Sequence, residues 1–504
     1  MLALIKFILP FFLQSSVYEP HRDEFLYLAE GNHLAFGFME VPPMLSVFAW
    51  LTQHMGKSMF WIKFWPSLIG GLNLILIGEI IISFGGRKFA LFMLFCCFFF
   101  TVFLRVHFLF QPNALEVLFY SVISFGLIKY IQTGENKWLY ITALGGGFGL
   151  LSKYSVAFYI VSFLPAILLT KQRNIFLNRH LFYALGLAFL IFLPNLIWQY
   201  DNHFPVVYHM SELSSTQLQY VPPSDFLKDQ LLMFLPCAYI WIVGFFYLIF
   251  NPKGRPFIFL CWVYLGVIAL LLWFHGKNYY ALGLYPVLFG FGCVAIEQWT
   301  VRRRFFLRYV FSVVTVLLGI YFIFIGLPVM SPEKLVAYYE KTHAKGKGIL
   351  RWEDQQDHPL PQDFADMLGW EEMVQKTATA YHSLDSSQQA QTIIFCDNYG
   401  MAGAVNYYRE KYHLPEAYSD NASFLYWIPE PLLFKNLVLL ENDPDEMKHN
   451  FVKHFLTAAI VDSVTNPYAR ERGTAIMLLT GADDQFRKYL TDQLYAKKQK
   501  TRLQ

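Results

Sequence analysis

A carboxylate pair, Asp23-Glu24, and three isolated cations, Arg105, Lys153 and Lys277, are the side chains of this sequence best suited to act together. A carboxylate held at the right height can take the proton of an attacking hydroxyl. Lysine and arginine pair strongly with phosphate oxygens. Asp23 opens a helical pattern that runs to about Phe36, with Asp23, Tyr27, Glu30 and Leu34 on one face and Glu24 turned away. The turn Glu40-Val41-Pro42-Pro43 stops that helix. Plainer readings stand beside these. An acid at a helix start also complements the dipole, and a lone cation at the end of an apolar helix also snorkels to lipid headgroups.

Other candidates cluster with them in sequence. His107 follows Arg105, and Tyr279 and Tyr280 follow Lys277 within His275-Gly276-Lys277-Asn278-Tyr279-Tyr280. The stretch Trp198-Gln199-Tyr200-Asp201-Asn202-His203, continued by His209, Glu212 and Gln217, mixes aromatic and polar groups, as a sugar-binding surface does and as a membrane-interface belt also does. Tyr27, Glu30, His107, Trp198, Asp201, Tyr279 and Tyr280 are therefore the candidate substrate contacts. No Cys/His spacing fits zinc. Gly145-Gly146-Gly147 lacks the ending of a phosphate loop and reads as a site of close helix packing.

The elements that must position these groups are apolar. Of 504 residues, 55% are hydrophobic and 15% charged, against about 25% charged in an ordinary soluble domain. Mean hydropathy is +0.35. A net charge of +3 gives no reason to expect nucleic acid as a partner. About eleven segments, near 2–17, 61–83, 89–104, 113–131, 138–151, 155–170, 181–198, 229–250, 257–273, 279–298 and 309–328, read as membrane helices. The first reads as a retained helix rather than a cleaved leader. Between the first two lies the loop 18–60, whose stretch from Met44 to Met55 reads as a helix lying in the interface. Residues 1–330 then form a membrane domain and 331–504 a soluble one.

Charge sets the expected orientation. Arg87, Lys88, Lys137, Lys171, Arg173, Arg179, Lys253, Arg255, Arg302, Arg303, Arg304 and Arg308 fall in one set of loops, and the short connections of the other set hold mostly lone cations, Arg105, Lys153, Lys228 and Lys277. The basic set faces the cytoplasm. That puts Asp23, the lone cations and the soluble tail outside, in a multi-pass protein of the cytoplasmic (inner) membrane. In the tail, 392–397, 437–440 and 458–461 read as strands and 362–383, 402–412 and 483–498 as helical, which predicts a small α/β domain. Cys396 is its only cysteine, so it can hold no internal disulfide.

Arg22-Asp23-Glu24-Phe25-Leu26-Tyr27-Leu28-Ala29 followed by Pro42-Pro43 resembles the first periplasmic loop of bacterial family-39-like glycosyltransferases. These belong to the GT-C superfamily, with the protein O-mannosyltransferases and the lipid A aminoarabinose transferase. The resemblance extends to Leu151-Ser152-Lys153-Tyr154, Pro194-Asn195-Leu196-Ile197-Trp198, Gly276-Lys277-Asn278-Tyr279-Tyr280, Phe364-Ala365-Asp366-Met367-Leu368-Gly369-Trp370 and Asn398-Tyr399-Gly400. It implies a GT-C-like, α-helical polytopic fold and a polyprenyl-phosphate sugar donor. It implies that Asp23, with Glu24 beside it, is the catalytic base, and that Lys153, Lys277 and Arg105 hold the donor phosphate. It leaves the acceptor open among lipid, glycan and protein. It implies inversion in one displacement and no dedicated cofactor, although a divalent cation could bridge Asp23 or Glu24 to the phosphate. A transporter or flippase of lipid-linked sugar is the competing reading. It predicts polar groups midway across the spans, where only Glu79 and Glu116 are candidates.

Overall fold

The computed structural model describes residues 1–216, 222–301 and 304–501, so Gln217, Arg302 and Arg303 lie outside the described residues. Every apolar segment expected to span the membrane is helical. Fewer than eleven are long, straight helices. Among the described residues, six are long and apolar enough to cross alone, and two bent pairs bring the number to eight. Leu2–Leu13 and Lys88–Phe99 are shorter apolar helices. The bends fall at 109° between Val156–Leu168 and Lys171–Leu177, and at 63° between Pro223–Leu232 and Leu235–Phe250. Hydropathy registers the apolar run and not the break in its axis.

The helix Met59–Ser83 has 25 residues and therefore reaches across roughly 37 Å. Near its start Lys63 meets the loop 18–60. Beyond its far end the backbone N–H of Arg87 donates to Glu297 (2.5 Å), which also faces Arg308 at 3.8 Å. Residues from the basic set and residues of the first loop thus occupy opposite ends of one helix. The triple glycine packs as expected: a Cβ on Gly145 would fall 2.9 Å from Val122, and one on Gly147 2.9 Å from Ile191.

Loop 18–60 holds two helices, Arg22–Glu30 and Met44–His54. The first is shorter than its periodicity predicts, ending at Gly31 rather than near Phe36. A Cβ at Gly31 would lie 2.7 Å from the Trp50 nitrogen, so this glycine is where the second helix crosses close to the first. Residues 33–41 form no regular element.

The tail is a five-stranded sheet. Its strands are β1 (Thr392–Cys396), β2 (Ala417–Tyr418), β3 (Asn436–Glu441), β4 (Thr457–Ser463) and β5 (Ala475–Thr480). Their order is β2-β1-β3-β5-β4, with β1 parallel to β2 and β3 and the other pairs antiparallel. β1, β3 and β4 match the expected strands; β5 and the two-residue β2 were not anticipated. The helix Tyr399–Tyr412 follows β1, N-capped by Asn398, whose side chain accepts from the Gly400 and Met401 nitrogens.

The first loop is built into this domain. Tyr18, Phe25, Leu26 and Ala29 share one buried core with Trp370, Met401 and Val405. Phe25 is fully buried, with Trp370 at 5.4 Å and Tyr407 at 5.5 Å, both edge-on. A Cβ at Gly403 would sit 2.8 Å from that of Phe25, so the two helices touch at this glycine. Burying a side chain such as Phe25 is worth about 1.5–3 kcal/mol, and it anchors the first turn of the helix, where Asp23 sits.

Candidate functional site

Asp23 stands where the membrane helices, the first loop and the soluble domain meet. Its helix is started by a capping box: His21 accepts from the Asp23 nitrogen (3.1 Å), while Glu24 accepts from the His21 nitrogen (2.8 Å). The half-buried Asp23 carboxylate accepts from Tyr399 Oη at 2.8 Å and from Gln111 Nε2 at 3.1 Å. A relay of amides continues from there. Asn113 donates to Gln111 (3.3 Å), and Lys153 Nζ donates to Asn113 (2.5 Å) and Glu116 (3.0 Å). Lys153 also lies over the rings of Tyr280 (4.4 Å) and Tyr279 (5.1 Å), and Lys277 over Tyr279 (5.9 Å). The Asp23 carboxylate, the Lys153 and Lys277 ammonium groups and two tyrosine rings therefore line one polar seam at the N-terminal end of the Pro112–Thr133 helix.

Tyr27 lies one turn on from Asp23 in the same helix, and burial, with Asp23, Glu30, Tyr399 and Tyr279 adding to it, pushes its hydroxyl well above the usual range. Glu116, an apparent intramembrane exception in the sequence, is the counter-charge of Lys153 one turn into the helix.

Other sequence candidates are placed differently. Glu24 is fully buried and saturated: Lys63 Nζ lies 2.6 Å from both its oxygens, and the Phe110 nitrogen donates to it at 2.6 Å. It shares no hydrogen bond with Asp23. Arg105 forms an ion pair with Asp363 of the tail. His107 is fully buried in the apolar bundle, stacked between Phe98 and Phe103, with no hydrogen-bonding partner for either ring nitrogen, so it offers no face to a substrate. Glu30 is likewise fully buried and without a hydrogen-bond partner, and burial together with Glu40 pushes its carboxyl well above the usual range. Asp201 is exposed at the end of its helix. Trp198 lines a separate cavity beside the tail.

Sequence reasoning missed Gln111, Asn113 and Tyr399. The first two follow Phe110 at the start of a long helix, and nothing in their spacing points to Asp23, 88 residues away. Tyr399 carried a signal only as part of the Asn398-Tyr399-Gly400 turn at the C-terminal end of a strand, where ligands often bind but where a structural turn is the favoured reading.

Below Asp23, His21, Asp363 and Asp366 bring potential ligand atoms within 4.8 Å of one another. Their chemistry suits a cation poorly, because both carboxylates are already matched: Asp363 by Arg105, and Asp366 by Arg470 at 3.3 Å. The cluster reads as a salt-bridge seam joining loop to tail. Burial would raise Asp363, but Arg105, His21 and Arg470 outweigh it and hold its carboxyl at about 2. Burial wins at Asp366, lifting it to about 6 against His21, Arg470 and Arg22. Asp363 thus contributes stability that is present above the ordinary aspartate pKa of about 3.9 and is lost as pH falls towards 2. Amide exchange in residues 361–368 is expected to rise between pH 4 and pH 2 in the native protein and to lose that step in Arg105→Gln; an unchanged step would separate it from this ion pair.

Known proteins share this architecture. Residues 40–198, less than half of the chain, match the family model described as dolichyl-phosphate-mannose-protein mannosyltransferase. No curated protein sequence matches. Among solved structures, ArnT from Cupriavidus metallidurans bound to undecaprenyl phosphate superposes with a TM-score of 0.61 at 12% identity, covering 95% of this chain and 96% of that one. Its apo form gives 0.61 at 11% identity with the same coverage. At such identities the superposition speaks for the fold, and it runs through the membrane helices and the tail alike. The chain thus has the fold of ArnT along almost its whole length, and its residues 40–198, from the first loop through the early helices, are similar to the mannosyltransferase family.

Proposed function

We propose that the protein transfers a sugar from a polyprenyl-phosphate donor to a hydroxyl or phosphate acceptor at the outer face of the cytoplasmic membrane. One observation carries the reading: Asp23 and Lys153 are joined by the Gln111–Asn113 relay, so a carboxylate and an ammonium face one seam at the end of the helix bundle. The undecaprenyl phosphate in the ArnT structure is a lipid of the donor class, and the family description names another, dolichyl phosphate. The opposite placement of the basic loops supports the outward orientation.

In this mechanism the donor phosphate rests against Lys153 and Lys277, with Tyr279 and Tyr280 beneath. Asp23 accepts the proton of the acceptor hydroxyl as its oxygen forms a bond to the anomeric carbon. The bond from that carbon to the phosphate oxygen breaks with both electrons passing to the phosphate, whose charge the two lysines stabilise. One displacement inverts the anomeric centre. Tyr399 and Gln111 hold the carboxylate in place. Arg105 is left out of the phosphate site because it belongs to the seam of Asp363, Asp366 and His21 that joins loop to tail, and not to the Asp23–Lys153 relay. No step here calls for a metal ion.

Charge-assisted hydrogen bonds are worth about 1.5–3 kcal/mol, or roughly ten- to hundredfold in affinity. Lys277→Ala is expected to weaken binding of undecaprenyl phosphate by that factor in nanodiscs. Lys153→Ala should do the same and also destabilise the fold, since it strands Glu116. Unaltered lipid-phosphate affinity in both variants would move the phosphate elsewhere.

A further inference from the structure

A cavity of about 480 Å³ lies apart from the seam just described, between the outer end of the Arg179–Asp201 helix, residues 33–38 of the first loop and the tail. That volume is within the range of roughly 300–1,000 Å³ found for ligand pockets. Four aromatic side chains line it: Trp198 from the membrane domain, Phe38 from the first loop, and Tyr426 and Trp427 from the tail, with the His33 ring stacked on Trp427 at 4.2 Å. Asn202 and Glu430 add an amide and a carboxylate, while the Ser423 hydroxyl is taken up by Glu40 and the Met39 nitrogen. Its one lysine, Lys498, is mostly buried and pairs with Glu430 (2.5 Å) and the Ile428 carbonyl (3.0 Å). The lysine charge is therefore matched, and a phosphate would find no unpaired cation there.

We infer that this cavity binds a neutral glycan, the acceptor of the proposed transfer. Aromatic faces suit the C–H faces of sugar rings, and mixed donors and acceptors suit hydroxyls, which are both. A peptide would seek an open sheet edge or an apolar slot, and the cavity supplies neither. Its wall adjoins the seam. Gly37 lies against Trp198, the Phe36 carbonyl accepts from Asn195 (2.7 Å), and Asn195 accepts from Tyr154 (3.2 Å), the neighbour of Lys153. A glycan seated there extends towards Asp23 past Tyr154. The inference rests on the proposed transferase reading for the word acceptor, but not for the binding itself.

The test uses the full chain in nanodiscs, with neutral trisaccharides of glucose, mannose, galactose and N-acetylglucosamine as probes, each free and as an octyl glycoside. Saturation-transfer NMR reads glycan binding, and undecaprenyl phosphate binding is measured in parallel. At least one trisaccharide is expected to bind. Ala35→Trp, which fills the cavity, and Trp427→Ala, which removes an aromatic wall, should each weaken it at least tenfold while lipid-phosphate binding stays intact. Binding only as the octyl glycoside assigns the glycan to a glycolipid, and equal binding of the free sugar assigns it to a soluble or polymeric glycan. Absence of binding by any probe, or full binding in both variants, overturns the inference. Failure of the native protein to bind undecaprenyl phosphate overturns the transferase reading instead.

Discussion

Asp23→Asn is expected to lower turnover with a polyprenyl-phosphate sugar by about 10²–10⁴-fold, the usual weight of a positioned general base, while undecaprenyl phosphate binding holds. The reason is local. Both partners of the carboxylate, Tyr399 Oη and Gln111 Nε2, donate to it. Asparagine keeps one oxygen for one of them and turns an amide NH₂ towards the other, and it has no proton affinity for the acceptor hydroxyl. The lysines and their tyrosines are untouched, so donor affinity has no cause to change. Tyr399→Phe serves as the calibrating variant: it removes one donor and leaves the base, so the loss should stay near tenfold. Proteoliposomes loaded with donor and assayed for released lipid phosphate measure both. Native turnover in Asp23→Asn would take the proton-accepting role from this residue, and equal losses in the two variants would mean that orientation matters more than basicity.

How much of this was legible beforehand depends on the distance over which residues cooperate. The helix carrying Asp23, the helix Met44–His54 and the strands β1, β3 and β4 are local patterns, and alternation and periodicity reveal them. Lys153 and Lys277 were visible for a different reason: a cation at the outer end of an apolar helix violates the charge bias of the loops. What could not be read was pairing. Asp23, Glu24 and Arg105 all looked available, yet two of the three are consumed by partners far along the chain, Glu24 by Lys63 and Arg105 by Asp363. His107 and Glu30 looked polar and functional, but burial removes them from contact with substrate. Sequence shows which groups are polar; only tertiary placement shows which still have a lone pair or proton to offer.

Glu24 and Asp23 are neighbours with opposite duties, and the difference can be measured. Lys63 and Glu24 are 1% and 0% exposed as side chains and 2.6 Å apart. Removing one member of such a buried pair costs about 3–5 kcal/mol, because the other is left charged without compensation. Glu24→Leu and Lys63→Met should therefore each lower the thermal midpoint of the purified protein sharply, and the double variant should recover most of the loss. Activity should follow folding. Glu24 accepts from the Phe110 nitrogen immediately before Gln111, so it sets the height at which Gln111 meets Asp23 and acts as a positioning residue. If it were instead the proton acceptor, the double variant would be as stable as the native protein and inactive. Recovered stability with turnover only partly recovered, because the Phe110 nitrogen keeps no acceptor, and a pH profile unchanged from the native protein, is the outcome expected here. Recovered stability without turnover would give Glu24 the chemical role now assigned to Asp23.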